Sequence, residues 1–364
     1  MIHAPPIYPA PPASFAPAMT LIIVSFCIAS ALVMFVGDRM AGIADRVAIA
    51  TGLSHGFVGF LLLSAATSLP ELVTSVSATV WLGAAGLAFG NVFGSNMCNI
   101  NIIFLMDLFH REGRVLKFMK LEALVPAVWG VLMTCLAIAG IVLSILAGDR
   151  FYLGRINIVS IPLLVLYAVA IRLSYAEVED VVPAEEEAER LPIDSVEGED
   201  ARRESVSRLF LKFGGYSLVL LLAGTWLTQI CDQIASRSLL GETFVGVLLL
   251  AWVTSLPEVT VTVAAVRRGH LDMGLGNIVG SGIFNLAILG VCDLMSWRGS
   301  PFMLKGARDS LPAAITSLAM LGVVMMGMLD RRWQERGVGR ISLTSIWILI
   351  VYALGTYLTY AVGH

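Results

Sequence analysis

Ala66-Thr67-Ser68-Leu69-Pro70-Glu71 interrupts one long apolar run, and Val253-Thr254-Ser255-Leu256-Pro257-Glu258 interrupts another in the same manner. Each stretch sets a carboxylate, two hydroxyls and a proline among apolar neighbours. A charge at the centre of a membrane span costs about 2.5 kcal/mol or more, so such residues mark functional sites by default. Proline has no amide hydrogen, and its ring clashes with the carbonyl four residues back. Pro70 is therefore expected to free the carbonyl of Ala66, and Pro257 that of Val253. Freed carbonyls, hydroxyls and a carboxylate together form an all-oxygen cage, which suits hard cations such as Na⁺ and Ca²⁺. Two such broken helices at matching places in two halves point to a transport site.

The rest of the chain supports a membrane setting. Hydrophobic residues make up 57% of the 364 and charged residues 14%, with a mean hydropathy of +0.83, which excludes an ordinary soluble domain. Apolar runs of about 20 residues imply a polytopic helical protein. Ten spans are expected, at 19–37, 56–80, 84–107, 122–146, 155–173, 209–227, 242–266, 271–295, 309–329 and 341–361. With the N-terminus outside, 18 of the 24 basic residues fall in cytoplasmic loops and 6 outside. The positive-inside rule then places both termini outside.

Residues 1–18 are Pro- and Ala-rich, without the basic region of a secretory signal, and read as a disordered lead-in. The stretch 174–208 carries Glu185-Glu186-Glu187 and Glu197-Gly198-Glu199-Asp200. It lacks the register of an EF-hand loop and reads as a solvated cytoplasmic linker. This divides the chain into a first five-span half, 19–173, and a second, 209–364. The five cysteines, Cys27, Cys98, Cys135, Cys231 and Cys292, are odd in number and show no metal-type spacing. They read as core thiols.

The halves repeat. Residues 56–63 (Gly-Phe-Val-Gly-Phe-Leu-Leu-Leu) match 243–250 (Thr-Phe-Val-Gly-Val-Leu-Leu-Leu), and Glu71 pairs with Glu258 at an offset of 187. Gly90-Asn91-Val92-Phe93-Gly94-Ser95 pairs with Gly276-Asn277-Ile278-Val279-Gly280-Ser281 at 186, as Asp107 does with Asp293 and Pro126 with Pro312. One duplication from the second span to the fourth explains this. Five spans is an odd number, so the second half enters the membrane the opposite way round, giving an inverted repeat. The expected fold is an all-α membrane protein of ten helices in two inverted five-helix repeats, each with a broken central helix.

Within each broken helix Thr67 and Ser68 share a face with Glu71, and Thr254 and Ser255 share one with Glu258. Asn91, Ser95 and Asn99 lie four apart, as do Asn277, Ser281 and Asn285, so both sets can line a seam facing the carboxylates. Gly90, Gly94, Gly276 and Gly280 also form small-xxx-small patterns, which serve helix packing. Asp107 and Asp293, near span ends, read as interfacial or structural. Two carboxylates match one Ca²⁺ or two Na⁺.

The paired Thr-Ser-Leu-Pro-Glu elements, each followed by Gly-Asn-x-x-Gly-Ser, resemble the α-repeats of the sodium/calcium exchanger branch of the cation/calcium exchanger superfamily. The resemblance covers about 56–101 and 243–287 at motif level. It implies alternating access, with Na⁺ exchanged for Ca²⁺ at a central cluster in the cytoplasmic membrane. Glu71 and Glu258 would be the shared ligands, with oxygens from Thr67, Ser68, Thr254 and Ser255. Ser95, Asn99, Ser281 and Asn285 would complete the cage, and the carbonyls of Ser64 and Ala251 would serve peripheral sodium sites.

The chain departs from the family pattern in three respects. Asn285 stands where members often carry Asp, Ala66 and Val253 stand where Gly commonly precedes Thr-Ser, and Gly282 matches Asn96. Proton/cation exchange is the nearest alternative, because burial favours the neutral, protonated form of a carboxyl group. A passive channel is disfavoured by the inverted repeat. An intramembrane hydrolase is disfavoured by the lack of a nucleophile–base pair. The bilayer, Ca²⁺ and Na⁺ are the expected partners. No cofactor, nucleic acid or obligatory protein partner is indicated.

Overall fold

A computed structural model describes residues 19–119, 124–181, 204–235, 251–296 and 301–362. The expected lead-in, most of the linker and the start of the seventh span lie outside the described residues. Helix α1 (Met19–Thr51) opens the described chain. Its 33 residues run 14 past the expected end at residue 37. At about 1.5 Å per residue it outreaches the ~30 Å hydrocarbon layer, so its polar last turns project beyond it. It stops at Gly52, whose positive φ of 72° breaks the helical path.

The second span is a series of short pieces. α2 (His55–Val58) is capped by Ser54, whose side chain accepts from Phe57 N. A wide π turn over Gly59–Leu63 follows, then α3 (Ser64–Thr67) and α4 (Leu69–Ser77). The break falls at Ser68, where ψ is 8°, with Pro70 in the first turn of α4. The helix α5 (Ala85–Phe109) is buried along most of its length. α6 (Leu124–Ala147) leads to a hairpin, β1 (Tyr152–Leu153) with β2 (Ile156–Asn157), and then α7 (Ser160–Val181). α7 continues past the expected span end at 173.

The second half repeats this order. α8 (Val206–Ala235) is followed by α9 (Ala251–Thr254) and α10 (Leu256–Arg267), which meet at Ser255 with ψ of 3°. α11 (Leu271–Met295) is the buried counterpart of α5. α12 (Phe302–Leu329) begins seven residues before the expected 309. A short α13 (Arg331–Glu335) precedes the hairpin of β3 (Gly337–Val338) and β4 (Ile341–Ser342), and α14 (Leu343–Val362) ends the described chain. Among the described residues, eight helical segments are long and apolar enough to cross a membrane, and Ser160–Ser174 is a shorter apolar helix.

Two apolar clusters organise the packing. The larger joins α5, α6, α7, α11, α12 and α14. The second sets α1 and α8, packed along each other, against the broken helices. α11 crosses the second span at glycines: a Cβ at Gly276 would collide with Gly56 O, and one at Gly280 with Phe60 O. The small-residue motif therefore does pack, at least in this half. Cys98 and Cys292 are buried thiols as expected, but Cys27 and Cys135 face outward.

The hairpins reveal a continuation of the repeat. Residues 154–160, Gly-Arg-Ile-Asn-Ile-Val-Ser, parallel 339–345, Gly-Arg-Ile-Ser-Leu-Thr-Ser, at an offset of 185. The internal similarity thus extends into the fifth span of each half, beyond the expected fourth. Each hairpin is held by the aspartate of the opposite half. Asp107 accepts from Val115 N, Ser342 N and Ser345 Oγ at 2.7, 2.7 and 2.8 Å. Asp293 accepts from Asn157 N and Ser160 Oγ at 2.7 and 2.5 Å. Both aspartates are buried, and their role here is structural.

Candidate cation-binding site

The breaks at Ser68 and Ser255 bring the two Thr-Ser-Leu-Pro-Glu segments into one buried cluster. Glu71 and Glu258 each have 0% exposure. Among the described residues no ion pair involves either glutamate. Two carboxylates so placed, with no basic partner, need a bound cation or a proton to neutralise them, because an unpaired buried charge costs several kcal/mol.

Hydroxyls and amides link the halves reciprocally. Thr67 contacts Ser281 Oγ at 3.4 Å and donates to Asn277 Oδ1 at 3.3 Å. Thr254 contacts Ser95 Oγ at 3.3 Å and donates to Asn91 Oδ1 at 3.4 Å. The amides of these asparagines are anchored by a second pair of hydroxyls. Asn91 Nδ2 donates to Ser75 Oγ at 2.9 Å, and Asn277 Nδ2 to Thr262 Oγ1 at 3.0 Å. Ser75 and Thr262 were not singled out in the sequence, although each stands four residues after its glutamate. That spacing was the available signal.

The carbonyls of Ser64 and Ala251 close the same network. Ser64 O accepts from Thr67 Oγ1 at 3.3 Å and Ser68 N at 3.0 Å. Ala251 O accepts from Thr254 Oγ1 at 3.2 Å and Ser255 N at 3.0 Å. Ser68 Oγ donates to Glu258 Oε1 at 2.9 Å, and Ser95 Oγ donates to Glu71 Oε1 at 3.5 Å.

Several buried oxygens have no hydrogen-bond partner among the described residues: Glu71 Oε2, Glu258 Oε2, Ser255 Oγ, Asn99 Oδ1 and Asn285 Oδ1. Leaving a buried polar atom unsatisfied costs about 1–3 kcal/mol. Their concentration on the residues of the two repeats, around two carboxylates, is the chemistry of a hard-cation site. Asn99 also has an unpartnered Nδ2.

The departures noted in the sequence acquire a shape. Asn96 Nδ2 donates to Gly282 O at 3.2 Å, while Asn96 Oδ1 accepts from Asn285 Nδ2 at 3.0 Å. Asn96 thereby bridges α5 and α11. Asn96 was missed as a site neighbour because only the tertiary crossing brings it to Asn285.

A multi-pass helical protein with paired broken helices around a buried oxygen cluster that holds two carboxylates is a membrane ion transporter. The chain belongs to the sodium/calcium exchanger family: the model described as "Sodium/calcium exchanger protein" matches residues 21–176 and 209–362. It is therefore a cation/calcium antiporter and not an enzyme. Inner membrane protein YrbG of Escherichia coli is 26% identical over 336 residues, covering 90% of this chain and 95% of that one. Sodium/calcium exchanger MaX1 of Methanosarcina acetivorans is 26% identical over 327 residues, covering 82% and 89%. A solved structure of the sodium-calcium exchanger NCX_Mj, soaked with 10 mM Na⁺ and 10 mM Sr²⁺, matches 93% of this chain and 99% of its own. Its TM-score is 0.64 at 19% identity, a likeness of fold.

Proposed function

We propose that this protein exchanges Na⁺ for Ca²⁺ across the cytoplasmic membrane by alternating access, as an antiporter with both termini outside. The observation that carries the reading is the pair of fully buried glutamates, Glu71 and Glu258, with no basic partner among the described residues. In this reading both carboxylates bind the transported ions. Thr67, Ser68, Ser95 and Asn99 from one half, with Thr254, Ser255, Ser281 and Asn285 from the other, add oxygens. The carbonyls of Ser64 and Ala251 serve flanking sodium ions. Halves 19–173 and 209–364 act as the two repeats, joined by the acidic linker. Either ion load neutralises the site, and only a neutralised site crosses between inward- and outward-facing states. The names of MaX1 and of the inner membrane protein YrbG support the ions and the membrane respectively.

The test is calcium uptake into proteoliposomes preloaded with sodium, with a proton gradient or no gradient as controls. Uptake that requires internal sodium and is lost in Glu71→Gln supports the reading. Uptake driven only by protons keeps the site and reassigns the coupling ion. Uptake without any gradient coupling overturns exchange in favour of a channel.

A further inference from the structure

A second cluster lies away from the oxygen site and uses different donors. Asp45 comes from the last turns of α1, His55 from the first residue of α2, and His270 from the turn that precedes α11. Asp45 Oδ1 lies 2.8 Å from His55 Nε2 and 3.0 Å from His270 Nε2. The two imidazole rings stack at 4.2 Å with an interplanar angle of 6°, so both present Nε2 toward the same carboxylate. One ligand atom from each residue lies within 4.8 Å of the others. The side chains are 14%, 24% and 18% exposed for His55, Asp45 and His270, shielded yet open to entry.

We propose that Asp45, His55 and His270 form a binding site for a divalent transition metal, of the Zn²⁺ class, distinct from the Glu71–Glu258 site. Two imidazole nitrogens and one carboxylate oxygen are the donors of zinc and its neighbours. Ca²⁺ and Na⁺ take oxygen throughout. Three protein ligands leave a fourth position for water, as in open zinc sites. A small swing of each ring lets a metal replace the imidazole protons now directed at Asp45. Arg46 and Arg268 are each paired with a carboxylate outside the cluster, Arg46 with Glu204 at 2.6 Å and Arg268 with Asp38 at 2.9 Å.

The three ligands come from different parts of the fold. Asp45 belongs to the layer of α1 and α8, whereas His55 and His270 lead into the helices that carry the oxygen site. A metal held by all three ties that layer to those helices. If the exchange reading holds, this tether slows any cycle that needs the two to move against each other.

The site itself is tested without transport. Untagged, chelator-treated protein in detergent, with saturating Ca²⁺ present, is titrated with ZnCl₂ by calorimetry and with Co²⁺ by visible absorption. One tight Zn²⁺ per chain and a cobalt spectrum of nitrogen–oxygen ligation are expected. His55→Gln and His270→Gln, which keep an N–H toward Asp45, should each lower affinity by more than about tenfold. Asp45→Asn, which keeps an acceptor oxygen but not the charge, should weaken binding while the melting temperature stays near wild type. Absence of tight binding, or a tight site that survives in the doubly substituted protein, overturns the proposal. Zinc inhibition of sodium-driven calcium uptake in wild type and not in His55→Gln would add the tether. Its absence with intact binding would remove the tether alone.

Discussion

Ser68 and Glu258 belong to opposite halves of the chain, 190 residues apart, yet the Ser68 hydroxyl donates to Glu258 Oε1 at 2.9 Å. Among the described residues the repeat does not return the favour: Ser255, the counterpart of Ser68, has an unpartnered hydroxyl, and Ser95 donates to Glu71 Oε1 at the longer distance of 3.5 Å. Sequence symmetry is therefore broken at the site. A hydrogen bond to a charged group contributes about 1.5–3 kcal/mol. Ser68→Ala should weaken apparent calcium affinity by about tenfold or more, and Ser255→Ala by less than about threefold. Initial uptake rates against calcium concentration give both numbers, and equal effects would show that the asymmetry is absent in the working protein.

Glu71→Gln and Glu258→Gln remove one of two charges from a cluster that has no basic partner among the described residues. A desolvated cation that loses a carboxylate partner is destabilised by about 3–5 kcal/mol. Each substitution should lower sodium-driven calcium uptake on the order of a hundredfold or more. Glutamine preserves shape, so size-exclusion profiles should match wild type. Calcium-dependent sodium flux retained in the double variant would reject the central role of these carboxylates.

Asp107 and Asp293 predict a different phenotype. Each clasps the hairpin before the fifth helix of the other half, and Asp107 accepts two backbone N–H groups and a hydroxyl. Asp107→Ala leaves those donors buried without partners, at about 1–3 kcal/mol each. The expected result is a melting temperature lower by several degrees, with little change in calcium affinity for the protein that remains folded. Fluorescence-detected melting and calcium binding on the same sample separate the two effects.

These clasps also show where the sequence falls short. The prolines and glutamates are legible because a charge and a helix breaker inside an apolar run have few explanations. The hairpins are not, since strands of two residues carry no alternation to read. Their Gly-Arg-Ile signature becomes informative only once Asp107 and Asp293 are seen reaching for it. The length of α1 was hidden for a related reason. Its apolar run ends near residue 37, but the helix continues through Asp38, Arg39, Asp45 and Arg46. Some of these polar groups find partners on other elements: Asp38 with Arg268, Arg46 with Glu204, and Asp45 with two histidines. Likewise Asn96 lay outside the expected seam, because its link to Asn285 depends on how α5 crosses α11.

The prolines carry the last prediction. Pro70 has no N–H, so Ala66 O lacks the donor it would meet in an unbroken helix, and the chain bends at Ser68. α8 packs closely against this bend: a Cβ at Gly224 would come within 2.6 Å of Pro70 Cγ. Pro70→Ala restores a donor at position 70, ties up the Ala66 carbonyl and favours a continuous helix. Exchange should fall about tenfold, the scale of one hydrogen bond gained by the wrong state, while the melting temperature moves by only a few degrees. Pro257→Ala should act alike through Val253 O. Unchanged exchange would mean that the freed carbonyl takes no part in the cycle. Parallel collapse of exchange and stability would assign Pro70 to packing against Gly224, and Gly224→Ala in the wild-type background would then reproduce the same loss.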